Sequence, residues 1–310
     1  MMYFSKSLAQ SLTKSLVASA IFAVPLSLIG VGGEQAVAQE NHQDDHEHAA
    51  EHFFVGLDTQ EILSRGDYAG LTNPNYNRLT FLAPHTDAVN PTNNHFHGIG
   101  AYSYEGALDS PTVRSTNTNN RIPEPYTNQP PLTLQPGTGL FEGLLISMVT
   151  DEPYSDLGIA PVQSIQTVDE NLFDSSGGRW TGSLAGAEVA LELMSITPGL
   201  YVADEMGENI FSGVGDRYII GEGDDFEEFM PVFWTDASAA AGSYSATFRL
   251  QDASDRENPL GESGTFSADF QVASVPEPSI LAGLGLLGWV AIAGQRKRRL
   301  ESGTTAEFSD

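Results

Sequence analysis

Tyr244-Ser245-Ala246-Thr247-Phe248-Arg249-Leu250 is followed by Thr265-Phe266-Ser267-Ala268-Asp269-Phe270-Gln271-Val272, and both stretches alternate apolar and polar side chains. A period of two sends neighbouring side chains to opposite faces, so each stretch reads as a strand with one dry and one wet face. Working back along the chain, residues 187–197 carry the same pattern through Val189, Leu191, Leu193 and Ile196, with small slips. Tyr218-Ile219-Ile220 and Pro231-Val232-Phe233-Trp234 are short β-rich runs. Gly-containing turns separate them, at Pro198-Gly199, 213–215, Ala241-Gly242 and 261–264. No long amphipathic helical period lies between residues 53 and 274. The expected fold is mainly β, an antiparallel β-sandwich ectodomain. Residues 111–137, rich in Pro, Asn and Thr, read as an irregular connection and as the place for a break between two lobes.

Both ends of the chain read as addresses rather than fold. Lys6 and Lys14 precede an apolar stretch over 16–29, and Ala36-Val37-Ala38 offers a cleavage site before Gln39. Residues 1–38 therefore form a signal peptide with its signal helix, and the protein is exported. At the other end Pro276-Glu277-Pro278 leads into an apolar segment over 280–293 and then Arg296-Lys297-Arg298-Arg299. That segment falls short of the roughly 20 residues that cross a bilayer as a helix. Its basic quartet favours the cytoplasmic side. This order of motif, short sorting or transmembrane helix and basic cluster resembles the PEP-CTERM sorting signal. The resemblance covers 275–299 and implies handling by an exosortase-type enzyme and a final location at the cell surface or in the extracellular matrix. Residues 300–310 add a short tail beyond it, and 39–52 form a leader before the ectodomain at 53–274.

The ectodomain is strongly acidic. The whole chain has 41 acidic and 14 basic side chains and a formal charge of −27. Between residues 40 and 275 stand 8 arginines and no lysine against 36 carboxylates. Such a surface repels phosphate, which argues against nucleic acid as a partner. The absence of cysteine removes disulfides, thiolate zinc sites and thiol nucleophiles.

All seven histidines fall between positions 42 and 97. His42, His46, His48 and His52 lie in the leader among Asp44, Asp45, Glu47 and Glu51. Imidazole and carboxylate suit zinc, but a flexible tract must be ordered to wrap an ion, so this is a weak leader site beside the alternative of a solvated acidic tract. His85 and His95-Phe96-His97 form the main candidate. Residues two apart on a strand share a face, so His95 and His97 grip one ion, and the turn over 87–94 returns His85 as a third ligand. Asp87 and Glu105 are candidates for a fourth ligand or for orienting a ring. The alternative leaves these histidines as surface or hydrogen-bonded core groups.

Glu222-Gly223-Asp224-Asp225-Phe226-Glu227-Glu228 offers oxygen ligands to calcium, though without the spacing of an EF-hand and with a solvated surface as the plainer reading. No G-x-S-x-G or H-E-x-x-H occurs, and no histidine follows residue 97 to complete a distant triad. The chain reads as a non-enzyme.

The run His95-Phe96-His97-Gly98-Ile99-Gly100 is followed by Arg121-Ile122-Pro123-Glu124-Pro125-Tyr126. Leu191-Glu192-Leu193-Met194-Ser195-Ile196-Thr197-Pro198-Gly199-Leu200 and Pro231-Val232-Phe233-Trp234-Thr235-Asp236 come later. Together these resemble a cyanobacterial PEP-CTERM family whose genes are repressed by the zinc uptake regulator. The resemblance implies expression in zinc scarcity, and hence zinc capture or homeostasis at the envelope; it carries no ligand set. A different class of function stays open beside it: a structural or adhesive module of the exopolysaccharide matrix, with Trp180, Tyr201 or Trp234 stacking on sugar or, more plainly, serving as core.

Overall fold

The computed structural model describes residues 52–274. In chain order the strands begin with β1 (Phe53–Leu57), β2 (Leu79–His85), β3 (His95–Gly100), β4 (Ser103–Glu105), β5 (Thr112–Arg114), β6 (Arg121–Ile122), β7 (Leu132–Thr133) and β8 (Gln135–Pro136). They continue with β9 (Leu144–Ile146), β10 (Ile159–Pro161), β11 (Glu188–Ile196), β12 (Tyr201–Ala203), β13 (Arg217–Glu222), β14 (Val232–Asp236), β15 (Gly242–Asp252) and β16 (Phe266–Val272). The fold is mainly β with several antiparallel sheets, as the alternation predicts. One sheet runs β10-β1-β2-β3, a second β13-β11-β15-β16-β6 with β7 also on β16, and a third β12-β14-β9-β8; β4 and β5 form a separate ribbon. Pairing is antiparallel except where β10 joins β1 and where β6 and β7 join β16.

The dry faces of the alternating strands meet in one core. Phe266, Ala268, Phe270 and Val272 of β16 and Ala246, Phe248 and Leu250 of β15 are buried there. Phe53, Val55, Leu79, Phe81 and Ile99 of the first sheet and Phe233 of the third join them. Phe81 is the link between sheets, its ring stacked 4.0 Å from Phe266 and 5.2 Å from Phe53. The close approach is possible because residue 100 is glycine: a Cβ there would fall 2.8 Å from the Phe266 ring and 2.9 Å from the Phe81 Cβ.

β1 and β2 are buried along their whole length. Their other face supports a second apolar cluster, with Phe54, Leu82, Phe96, Val162, Leu172 and Trp180. A strand dry on both faces has no polar alternation to read, which is why sequence periodicity marks the second sheet and passes over these two.

The stretch 111–137, expected as an irregular connection and a lobe boundary, is stitched onto β16 through β6 and β7, and the described residues fall within one compact unit. Among the described residues no helix is long and apolar enough to cross a membrane. The expected signal helix, the sorting residues Pro276, Glu277, Pro278, Arg296, Lys297, Arg298 and Arg299, and the 300–310 tail lie outside the described residues. Of the three aromatics, Trp180 is buried beneath the Arg179 guanidinium, while Tyr201 stacks on Trp234 at 4.4 Å on the outer side of the third sheet.

Candidate metal centre

The β2–β3 hairpin brings His85, His95 and His97 together. Its register sets His85 directly opposite His95 and Ala83 opposite His97, so the three imidazoles occupy one face at the turn end of the pair. This is the face that buries Phe81 and Ala83 further along; the histidines stand where the core runs out. Ring centroids lie 4.0 Å apart for His85 and His97, 4.9 Å for His95 and His97, and 5.4 Å for His85 and His95. His85 is 7% exposed, His97 half-buried and His95 exposed.

Beneath them sits a carboxylate that the sequence reading did not assign. Glu124 follows β6 between Pro123 and Pro125 and is 0% exposed. Its Oε2 accepts from His85 Nε2 at 2.6 Å and from the Tyr154 hydroxyl at 2.9 Å. Its Oε1 accepts from His97 Nδ1 at 2.8 Å and from the side-chain amide of Asn119. Burial alone would push this carboxyl up, but the bonds from His85 and His97 outweigh burial and hold it well below the usual range. It is a buried anion met by four donors. Tyr126 closes the group from one side, its hydroxyl 3.3 Å from His85 Nε2; burial and the Glu124 charge push that phenol up to about 12.

These bonds fix the ring tautomers. His95 Nδ1 lies 2.8 Å from the Asn93 carbonyl oxygen, which can only accept, so that nitrogen carries a proton. His97 Nδ1 must likewise donate to the Glu124 carboxylate. In neutral rings both Nε2 atoms are then lone pairs, and they face each other at 3.1 Å. Two lone pairs at that distance repel unless a proton or a metal cation lies between them. With Zn–N bonds of about 2.0–2.1 Å and tetrahedral angles, two ligand nitrogens sit about 3.3 Å apart. The second ring nitrogen of each histidine already has the carbonyl or carboxylate that orients a metal-bound imidazole. Among the described residues, the three potential ligand atoms here that lie within 4.8 Å of one another come from His85, His97 and Glu124, a set that does not include His95.

The other predicted ligands fall elsewhere. Asp87 turns inward on its own loop, accepting from the backbone amides of Val89 and Asn90. Glu105 pairs with Arg114 across the β4–β5 ribbon at 2.5 Å. Glu124 takes the orienting place that was expected of these two, because the 121–126 turn passes under the hairpin and the β4–β5 ribbon does not. His42, His46 and His48 lie outside the described residues; His52 meets Asp156 and Glu228. The acidic run offered to calcium does not converge. Phe226 packs into the core, Asp224 accepts from Ser183 and Leu184, and Glu228 turns to His52. Two clefts flank the imidazoles: one of about 570 Å³ bordered by His97, Tyr68, Tyr104, Tyr126 and Trp180, the other of about 600 Å³ bordered by His95, Asn93, Asn171 and Asp174.

Acid should loosen this group. Burial pushes His85 below its ordinary 6.5 despite the opposing pull of Glu124. A lowered folded value means that the unfolded chain binds the proton more readily. The His85 contribution is therefore complete above pH 6.5 and lost as pH falls toward the folded value. Glu124 has the same sign lower down: its contribution is complete above its ordinary 4.5 and lost in stronger acid. Urea unfolding of the metal-free protein should show a midpoint that falls on acidification from pH 7, and again below 4.5. The lower step should shrink in the Glu124→Gln variant; a midpoint that rises between pH 6.5 and 5 would contradict the assignment.

Compared with protein-family models, curated proteins and solved structures, the chain matches none.

Proposed function

We propose that this is an exported zinc-binding protein that captures or buffers the ion at the cell envelope, sorted there through its C-terminal signal by an exosortase-type enzyme. His95 and His97 bind through their Nε2 atoms, held in that tautomer by the Asn93 carbonyl and by Glu124 respectively, and His85, whose Nε2 is held by Glu124, adds a third imidazole through Nδ1. The observation that carries this reading is the pair of Nε2 atoms facing each other at 3.1 Å, each ring's other nitrogen being already bonded. The acidic surface supports it, since a negative field raises the local concentration of cations. Exposure of His95 supports capture and release rather than a sealed structural site. As a fold, the core shared by the first two sheets supports the sandwich reading.

Calorimetric titration of zinc into the full chain tests the proposal. The His95→Ala/His97→Ala double variant should bind at least about a hundredfold more weakly, the upper end of what losing one orienting partner costs. Removing residues 39–52 should leave the tight phase in place. If the double variant binds as the parent does, the imidazole pair is not the seat. A second reading rests on the tyrosine-bordered cleft beside His97, whose size and rings suit a sugar unit of a matrix polymer. Absence of zinc binding at micromolar concentration would leave that reading in place of the first.

A further inference from the structure

A separate group stands at the start of β1. His52 Nδ1 is 2.7 Å from Glu228 Oε1 and 3.1 Å from Asp156 Oδ2. Three distant chain segments are pinned together to make it. Phe53, next to His52, lies beside Ile159 in the parallel β1–β10 register. Ile159 in turn exchanges both backbone hydrogen bonds with Phe229, the neighbour of Glu228. Asp156 sits just before β10, and its Oδ1 accepts from the Gly158 amide at 3.0 Å, leaving Oδ2 for His52. Gly158 itself makes room: a Cβ there would lie 1.9 Å from Glu228 Oε1.

The charges in this group do not balance. Asp156 has a side chain only 9% exposed, and Glu228 is one-third exposed. Glu205 is close enough to push the Glu228 carboxyl up, after burial and alongside Asp156. Among the described residues no arginine forms an ion pair with Asp156 or Glu228, and the ectodomain has no lysine. Even a protonated His52 leaves a surplus negative charge. One nitrogen and two carboxylate oxygens within 4.8 Å of one another are the donor set of a divalent cation, whose two charges would cancel both carboxylates.

We propose that His52, Asp156 and Glu228 form a second divalent-cation seat on the folded body, independent of the His95–His97 pair. It takes a borderline ion such as zinc through one imidazole and two carboxylates. Its nitrogen comes from the last histidine of the leader, so an ion bound here ties the base of the leader to the loop that precedes β14.

The test is zinc titration of the full chain carrying His95→Ala/His97→Ala, with and without Asp156→Asn/Glu228→Gln. The first pair of substitutions removes the other seat and leaves the leader histidines equal in both proteins. The expected result is one binding phase in the parent that weakens at least about tenfold when the carboxylates are neutralised. Circular dichroism confirms that both proteins are folded. Glu228→Gln alone, at a half-open position, supplies a milder variant with the same expected direction. In the natural chain, Glu228→Gln should leave the phase assigned to His95 and His97 unchanged. Superimposable curves with and without the carboxylates would overturn the proposal, because the leader would then account for the binding. So would a parent with no binding phase.

Discussion

Glu124→Gln is expected to cost about 3–5 kcal/mol of folding stability, the range for removing one partner of a buried ionic group. The side chain is fully buried and accepts from His85, His97, Tyr154 and Asn119. Glutamine keeps the shape but exchanges one acceptor oxygen for an amide that can only donate. Two of the four donors then meet that amide and must turn away or, for an imidazole, change tautomer, in a site that water does not reach. The same change frees the His97 ring from the tautomer that points a lone pair at His95, so zinc affinity should fall about 10–100-fold. Chemical denaturation of the metal-free variant and calorimetry in folded conditions measure the two effects separately. Unaltered stability would mean that the carboxylate is not ionised in the folded protein.

Phe81→Ala should be comparably costly for a different reason. Phe81 is 1% exposed and stacked on both Phe53 and Phe266, so it spans the gap between the first and second sheets. Truncation leaves a void that neither sheet can close without moving the other, and large-to-small changes of this kind cost about 3–5 kcal/mol. Zinc binding below the melting transition should survive, because the imidazoles lie further along the hairpin. A loss below about 1 kcal/mol, well short of that range, would show that the sheets can slide together to fill the space.

The contrast between these two residues shows what was legible in the sequence. Phe266 and Phe270 announce their strand through alternation with Ser267, Asp269 and Gln271, because one face of β16 is wet. Phe81 sits in Leu79–His85, buried throughout, and periodicity has nothing to say about it. The convergence of His95 and His97 was readable because it depends only on a spacing of two within one strand. His85 was readable as a candidate through the turn between them. Glu124 was not, although its frame of Pro123 and Pro125 marks a constrained turn. Its approach depends on β6 and β7 docking on β16, a contact nearly 150 residues away in sequence. Asp87 and Glu105 were nearer along the chain, and nearness along the chain was the wrong measure.

The docking of β6 and β7 has one more consequence, for solubility. Without them β16 would present an open row of backbone donors and acceptors along a strand with one apolar face, a template for another chain to add to. Ser267 and Ala268 pair with Arg121 and Ile122, and Phe270 and Gln271 with Leu132 and Thr133, so the turn carrying Glu124 bridges two short covers on that edge. A single loop thus serves both as the floor of the imidazole cluster and as the shield against edge-to-edge association. Damage to the floor therefore reaches the shield, and a protein that loses its grip on Glu124 also moves toward self-assembly through β16.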